Sequence, residues 1–317
     1  MTGADQRKPA SVTAVIVMWN ARALIDDCLT AVVDEGRGVG ALEVIVVDNA
    51  SDDGSAEHVR RRWPHVRLIE NSENVGYTRA NNQAIKASTG EYLLLVNADA
   101  FLRPGSVQVM CAQLDDDPRA AVVGPRLVYG DGTWQRWTAG RAPSLGAAIN
   151  HYLFLERVRP QAFAGLYLAQ DVRTRRRVDW VSSACMLVRR AALDEIGLMD
   201  ERFFVYMDDV DLCQRARDGG WHVWYRPDAE CVHLMGRSTR PTPGSISKDA
   251  LRNFNRYFVR QHGQTAGVVL RCVEALGFGV RVAAYLGASL ARGDPAMRAK
   301  ARAHWAYLRL TLERLPS

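Results

Sequence analysis

The chain has 317 residues, of which 48% are hydrophobic and 24% charged, a composition typical of a soluble globular protein with a full core. Its six cysteines show no C-x-x-C spacing, which argues against a zinc ribbon or disulfide framework and favours a reducing compartment. The net charge is +6, and residues 250–317 hold eleven Lys and Arg against three Asp and Glu, so the excess lies near the C-terminus.

Strand and helix signals alternate from residue 12 to residue 129. Apolar strands are expected at 12–17, 42–47, 66–70, 92–96 and 120–123. Helices are expected at 21–33, 55–62, 78–88 and from Pro104 to about residue 114. Repeated strand–helix units predict a parallel sheet covered by helices on both faces. The stretch at about 130–180 is irregular and rich in Trp and Arg, and we interpret it as a substrate loop rather than a surface excursion.

Shorter elements follow this stretch. A strand at 181–188, a helix at 209–218 ended by Gly219 and Gly220, and strands at 222–225 and 230–232 are expected. Beyond two prolines, helices are predicted at 246–262, 266–291 and 295–315. The middle helix is interrupted by charges, so it lacks the ~20 apolar residues of a membrane span. We expect it to pack on a partner or to lie in a bilayer interface with its arginines extended outward.

The basic C-terminal region predicts either a polyanionic partner or a solvated helical face. It has no aromatic–basic platform for stacking bases, so no nucleic-acid partner is expected. Anionic lipid is the remaining candidate, and the expected location is cytoplasmic, peripheral on the inner face of the membrane. The first twelve residues lack the apolar core of a secretion signal, so export by that route is not expected. The oligomeric state is left open, a homodimer included.

Polar side chains follow two of the apolar strands where each strand ends. Asp48 and Asn49 come after the second strand, and Asn97 and Asp99 after the fourth. Because ligands bind beyond the carboxyl ends of parallel strands, we expect Asp48 and Asn49 to contact a nucleotide, with turn formation as the alternative. Asp99 suits a hard divalent cation that also binds diphosphate oxygens, with strand-end capping as the alternative.

Amide side chains are dense at the start of the predicted helix 78–88. A helix N-terminus attracts phosphate and an arginine there can pair with it, so Asn74, Gly76 and Arg79 are predicted to contact the nucleotide. Asn97, at the end of the fourth strand, is predicted to face the same ligand. The alternative for the helix is a solvated N-terminal turn.

Acidic residues and a histidine supply the remaining chemistry. Asp208, Asp209 and Asp211 fall within four residues near a helix start, where they either cap the helix or provide a general base, because neighbouring carboxylates raise one another's pKa. His233 follows a predicted strand and can complete the shell of a cation, although a lone histidine is more often structural. Arg237 and Ser238 are predicted to hold a departing diphosphate.

In this order, the motifs resemble the GT-A glycosyltransferases of family 2, especially their bacterial rhamnosyltransferase-like branch. The matching stretches span residues 12–240 and read VIVVDNASDDGS, ENVGYTRANNQAI, YLLLVNADAFLRPGS, VDWVSSACMLVRRAALDEIGLMDERFFVYMDDVDLCQRARDGGW and AECVHLMGRS. The resemblance implies an α/β GT-A fold, Rossmann-like, with a mostly parallel sheet flanked by helices and a C-terminal helical extension. It implies a catalytic domain at 1–245, with a nucleotide-sugar half at 12–129 and an acceptor half at 130–245, and a basic helical region at 246–317.

The resemblance also implies a reaction, the inverting transfer of a sugar from a nucleotide sugar to a lipid-linked or polysaccharide acceptor. The family pattern makes Asp209 the base and places Asp99 and His233 on Mg²⁺ or Mn²⁺. Asp208 would hold acceptor or sugar hydroxyls, and Trp180 and Ser183 would lie at the acceptor side. L-rhamnose from dTDP-rhamnose is the expected donor, and hexosyl or galactofuranosyl transfer is the nearest rival.

Two departures from the family pattern stand out. Asn97 replaces the first acid of the usual D-x-D, which leaves a less charged metal site. Ser182 and Ser183 stand where the family usually has a glycine, so a side chain enters the acceptor wall.

Two other classes of function were weighed. A catalytically silent nucleotide-sugar-binding protein would be expected to lack the base or a metal residue, and this chain keeps both. A nicotinamide-dependent oxidoreductase needs G-x-G-x-x-G after the first strand, where this chain has Val17, Met18, Trp19 and Asn20.

Overall fold

The computed structural model describes residues 10–159, 162–168, 170–235 and 248–313. The strands are β1 (Ser11–Met18), β2 (Ala41–Asp48), β3 (Arg67–Glu70), β4 (Tyr92–Asn97), β5 (Ala100–Leu102), β6 (Ala120–Val128), β7 (Ala139–Gly140), β8 (Arg176–Arg177), β9 (Trp180–Val181), β10 (Cys185–Arg189) and β11 (His222–His233). The α-helices are α1 (Ile25–Glu35), α2 (Ser55–Arg62), α3 (Tyr77–Ala87), α4 (Ser106–Asp116), α5 (Leu145–Tyr152), α6 (Leu155–Val158), α7 (Arg190–Ile196), α8 (Asp208–Asp218), α9 (Lys248–Arg292) and α10 (Pro295–Leu312).

The chain divides into two compact units. Among the described residues, the first contains 10–140, 171–204 and 208–235, and the second contains the rest. The second unit therefore joins the stretch after residue 140 to the C-terminal helices, a grouping that differs from a single boundary near residue 245.

The first unit is built on a mixed sheet. Within the described residues nine strands take part, in the order β3-β2-β1-β4-β10-β6-β11-β5 with β8 paired to β11. The predicted GT-A-like α/β architecture is confirmed: β3, β2, β1 and β4 are parallel, as is the pair β6 and β11. The sheet is mostly parallel, as expected, and an antiparallel strand, β10, enters between β4 and β6.

The apolar strand runs form the core of this unit. Ile16, Val46 and Leu94 lie on the central strands with no solvent exposure, and α1 and α4 pack against the same cluster through Leu29 and Met110. Continuous apolar runs of this kind are typical of strands covered on both faces. The rigid sheet positions the polar residues at its edge.

Two helices begin later than the sequence predicted. The helix expected from Pro104 starts at Ser106, because Gly105 adopts a left-handed conformation with φ of 83°. The carboxylate of Glu35 accepts hydrogen bonds from the N–H groups of Gly105 and Val107, both at 2.7 Å, and so caps α4. The helix expected from residue 21 starts at Ile25 after a turn.

Two expected strands have other bounds. The strand expected at 181–188 is divided into β9 and β10 by a turn. The two short strands expected near 222 and 230 are one strand, β11, with register shifts against β6.

In the second unit, α5, α9 and α10 enclose a small core around Phe258, Leu270 and Phe278. The stretch after residue 140 is thus not irregular throughout. The predicted break between the first two C-terminal helices is confirmed as a bend within α9 at Gly263, whose φ is 83°.

The two arginines of the middle C-terminal helix do not extend outward as expected. Arg271 donates to the carbonyl oxygen of Thr311 and Arg281 to that of Tyr152, so both are bound within the helical unit. Within the same unit, α9 packs against α10. No helix in the described ranges is long and apolar enough to cross a bilayer.

Candidate active site

Asp48 and Asn97 lie at one edge of the sheet, on either side of β1. In the strand register Asp48 is paired with Met18, and Asn97 with Val17, the neighbouring residue of β1. The expectation that these two strand ends meet is therefore confirmed by the topology. Because all three strands are parallel here, their side chains leave the sheet at the same end.

Three oxygens at this edge receive no hydrogen bond from any described residue. They are Oδ1 of Asp48, Oδ1 of Asn97 and Oδ1 of Asp99. Asp48 is 4% exposed and Asp99 only 1%, so water offers little compensation. Buried acceptors without donors are costly, which indicates that a ligand or cation completes them.

Asp99 and His233 are brought together by the antiparallel pairing of β5 with β11. His233 is the register partner of Ala100, and the N–H of Leu234 donates to the carbonyl oxygen of Asp99 at 3.0 Å. As a result Nε2 of His233 lies 3.5 Å from Oδ1 of Asp99. Two residues that are 134 positions apart in the chain thus place a side-chain nitrogen and a side-chain oxygen next to each other.

Gln135, which sequence reasoning missed, orients this histidine. Its Oε1 lies 3.2 Å from Nδ1 of His233, and its Nε2 donates to the carbonyl oxygens of Val128 and His233. Gln135 is fully buried. With a proton on Nδ1 shared with Gln135, Nε2 keeps its lone pair for a cation, the arrangement usual around metal-bound histidines. No local sequence signal distinguishes this glutamine from a loop residue.

The donor set fits a divalent cation that is shared with a substrate. In the described ranges no group of three or more His, Cys, Asp or Glu is placed to hold a metal ion, and Asp99 and His233 offer one oxygen and one nitrogen 3.5 Å apart. Mg²⁺ and similar ions are often bound by one or two protein groups, with substrate phosphates and water filling the other positions. The unpartnered Oδ1 of Asp99 is consistent with that use.

Asn49 organises the loop that leads into α3. Its Nδ2 donates to Oδ1 of Asn74 at 2.9 Å and to the carbonyl oxygen of Gly76 at 3.3 Å. Its Oδ1 accepts from Nδ2 of Asn71 and from the N–H of Val75, both at 3.1 Å. Both amide hydrogens and both acceptor directions are thereby used, so the side chain of Asn49 is occupied in holding the loop that leads into α3.

Gly76 has a conformation and a neighbour that exclude a side chain. Its φ is 88°, and a Cβ there would lie 2.6 Å from the ring of Phe204 and 2.9 Å from the carbonyl oxygen of Phe204. The N–H of Tyr77 donates to that same oxygen at 2.7 Å. The start of α3 is therefore locked onto the chain segment at Phe204. Arg79, on the next turn, has a side chain 59% exposed and 4.0 Å from Glu201.

The acid pair lies at the first turn of α8 and is held by the turn between β9 and β10. The N–H of Ser183 donates to Oδ2 of Asp209 at 3.2 Å, and the hydroxyl of Ser183 donates to Oδ2 of Asp208 at 2.9 Å. Asp208 is 2% exposed, whereas Asp209 is only half-buried. Burial, followed by the charge of Asp209, raises the pKa of Asp208 to about 7. Burial also raises the pKa of Asp209, against hydrogen bonds from the backbone N–H groups of Ser183 and Val210.

The turn that holds the acid pair also contacts the strand end before Asp99. The carbonyl oxygen of Ala184, next to Ser183, accepts from the N–H of Asn97 at 3.0 Å. The acids, the turn and the Asp99–His233 pair therefore belong to one edge of the first unit.

Of the three remaining predicted residues, one is buried in a short strand and two lie outside the described chain. Trp180 is in β9, paired with Gly140, and is only 5% exposed. Arg237 and Ser238 lie outside the described residues.

Comparison with known proteins identifies the family of this chain. Residues 13–197 match the family model described as glycosyl transferase family 2. The N-acetylglucosaminyl-diphospho-decaprenol L-rhamnosyltransferase of Mycobacterium tuberculosis is 33% identical over 217 residues, which cover 64% of this chain and 70% of the relative.

Solved structures with the same fold include two transferases. The mannosyltransferase PcManGT of Pyrobaculum calidifontis, in complex with GDP-Man and Mn²⁺, aligns with a TM-score of 0.60 and 20% identity over 96% of this chain and 86% of its own. GalNAc-T7, with UDP, GalNAc and Mn²⁺, aligns with a TM-score of 0.58 and 16% identity over 80% of this chain and 48% of its own. At these identities the likeness concerns the fold.

Proposed function

This chain belongs to glycosyl transferase family 2 and is a glycosyltransferase, and from that premise we propose an inverting, metal-dependent transfer of L-rhamnose from dTDP-rhamnose to a lipid-linked acceptor. The observation that carries the proposal is the shared edge, where Ser183 holds both acids and the next residue contacts the strand end before Asp99. The name of the 33% identical relative supports the choice of sugar and of a polyprenyl diphosphate acceptor.

Asp209 is the proposed base. It is the more exposed acid of the pair, so an acceptor hydroxyl can reach it. Its raised pKa brings its basicity closer to that needed for proton transfer near neutral pH. Asp209 takes the proton as the acceptor oxygen attacks the anomeric carbon. The bond from that carbon to the nucleoside diphosphate breaks, and a single in-line displacement inverts the centre.

The opposite end of the site holds the donor. Asp48, through its unpartnered Oδ1, is proposed to accept from the nucleoside, and the loop shaped by Asn49, Asn74 and Gly76 borders it. Asn97 faces the same ligand, and the exposed Arg79 is proposed to reach its phosphates. A divalent cation bound by Asp99 and His233, Mn²⁺ or Mg²⁺, would neutralise charge developing on the departing diphosphate.

The acceptor end is assigned to the acid pair and its surroundings. Asp208 is proposed to hold a hydroxyl of the acceptor or sugar, and the buried Trp180, three residues before Ser183 in the chain, to support the acceptor wall. Arg237 and Ser238 remain proposed diphosphate contacts on sequence grounds alone.

The second unit is proposed to bring the enzyme to the membrane that carries the acceptor. Val269, Leu276, Val280 and Leu290 recur at helical spacing on one uncharged face of α9, and Leu290 is 80% exposed. The described helices 248–313 carry eleven Lys and Arg against four Asp and Glu. An apolar helix face on a positively charged unit suits an anionic bilayer surface.

Nucleoside diphosphate release from a panel of nucleotide sugars, with and without Mn²⁺, tests the proposal. We expect release from dTDP-rhamnose that depends on the acceptor lipid and the cation, and loss of roughly 10²–10⁴ in kcat in Asp209→Asn. Asp218→Asn, at the exposed end of the same helix, is the matched control. A hexosyl or galactofuranosyl donor turned over faster would replace the rhamnose assignment. Equal turnover by Asp209→Asn and wild type would rule out the base, and no turnover of any donor would favour a silent binding protein.

A further inference from the structure

Ser183 makes three hydrogen bonds, two of them to the acid pair. Its hydroxyl donates to Asp208, its N–H donates to Asp209, and its carbonyl oxygen accepts from the hydroxyl of Tyr77 at 2.9 Å. Every polar group of this residue is thus bound. Ser183 is fixed from one side by α3 and uses its two donors on the other.

The two acids need such a device because they are neighbours at the start of one helix. Two buried carboxylates repel each other, and either one can rotate toward the open side of the site. The hydroxyl of Ser183 holds Oδ2 of the more buried acid, Asp208. Both carboxylate oxygens of Asp209 accept from backbone N–H groups, those of Ser183 and Val210, and Asp209 is the less buried acid of the pair.

We propose that Ser183 is a positioning residue whose hydroxyl holds Asp208 in place, so that Asp209 alone is presented to the acceptor as base. This inference rests on the proposed function. It changes the expectation for Ser183 from direct contact with the acceptor to control of the acids. A glycine at this position, as the resembling family usually has, would keep the N–H contact to Asp209 and lose the contact to Asp208.

Ser182 provides a matched comparison. It lies next to Ser183 and has a similar exposure, and its hydroxyl accepts from the N–H of Ala184 at 3.3 Å. Ser182→Ala therefore removes a hydroxyl from the same turn, but that hydroxyl binds the backbone of Ala184 and neither acid.

Steady-state kinetics of the full chain test the proposal. For Ser183→Ala we expect kcat to fall roughly 10- to 100-fold, the range for a lost hydrogen bond to a charged group, with the KM values of donor and acceptor unchanged. Ser183→Thr, which keeps the hydroxyl, should recover most of the rate, and Ser182→Ala should lose clearly less than Ser183→Ala. Thermal unfolding of each variant shows whether the turn remains folded.

Three outcomes would overturn the proposal. An acceptor KM that rises at constant kcat would show that Ser183 touches the acceptor directly. Equal loss in Ser182→Ala and Ser183→Ala would indicate a general effect on the turn. If wild type is active and Ser183→Ala has the same kcat, the hydroxyl is dispensable. If wild type itself is inactive, the result counts against the proposed function and not against the role of Ser183. If Ser183→Ala unfolds, the kcat values of Ser183→Cys and Ser183→Thr are compared instead, since Cys is a weak donor of similar size. A lower kcat in Ser183→Cys would support the proposal, and equal values would overturn it.

Discussion

The side-chain oxygen of Gln135 lies 3.2 Å from Nδ1 of His233, on the side of the imidazole away from Asp99. A buried amide therefore fixes the ring orientation of a histidine whose other nitrogen lies 3.5 Å from a carboxylate oxygen. Outer groups of this kind typically contribute 10- to 100-fold to metal affinity.

Gln135→Met should weaken cation binding. Met has a similar length but offers no strong acceptor to Nδ1, so we expect Mn²⁺ affinity in the presence of nucleoside diphosphate to fall about 10- to 100-fold by calorimetry. Gln135→Glu keeps an acceptor opposite Nδ1 and should retain more of the affinity. Unchanged affinity in Gln135→Met, with the fold intact, would remove His233 from the proposed ligand set.

Gly76→Ala should destabilise the protein and weaken donor binding. A methyl group there meets both an unfavourable φ and the carbonyl oxygen of Phe204 at 2.9 Å, and a backbone atom cannot move aside cheaply. Gly54→Ala is the control, because Gly54 has a φ of 82° with no atom within 4 Å of its Cβ position. We expect the control to lose about 1 kcal/mol in free energy of unfolding from φ alone, and Gly76→Ala to lose clearly more. Similar losses in both, measured by denaturant unfolding, would contradict the lock between α3 and Phe204.

Glu274 should make the stability of the second unit depend on pH. It is fully buried, and although Asn255 and Tyr152 donate to it, burial raises its pKa from 4.5 to about 7. Between pH 4.5 and 7 the folded state therefore binds more protons than the unfolded state, and its stability falls as pH rises. Above pH 7 the penalty is complete and constant.

Glu274→Gln removes this titration. We expect the variant to match wild type near pH 4.5 and to exceed it in unfolding free energy at pH 7.5, as followed by thermal and denaturant unfolding. A variant that is less stable than wild type at pH 7.5 would show that the ionised carboxylate is favourable where it lies.

Leu276→Glu and Leu290→Glu should reduce binding to vesicles that contain phosphatidylglycerol. Burying one Leu side chain is worth about 1.5–3 kcal/mol, so each change should weaken co-sedimentation roughly tenfold or more. Val158→Glu is the control, because Val158 is 75% exposed but belongs to α6 and not to α9. Unchanged co-sedimentation of both Leu variants would exclude α9 as the membrane contact. A shift of these variants from dimer to monomer in the absence of lipid would assign this face to a second copy of the chain.

The sequence by itself determined the strand ends and the acids. Continuous apolar runs that stop at Asp48 and Asn97 are local patterns, and the parallel pairing of β2, β1 and β4 follows from short strand–helix units. The helix break at Gly263 and the helix that begins at the acid pair are also local, since a glycine with positive φ and capping carboxylates act within a few residues.

Only the tertiary structure decided how these pieces meet. The antiparallel entry of β10, the pairing of Asp99 with His233 and the buried contact of Gln135 join residues about 100 positions apart, and no periodicity encodes such distances. The role of Ser183 depends in the same way on the turn after β9 reaching the start of α8. Local propensity chooses the elements, whereas packing of the whole chain chooses which of their ends come into contact.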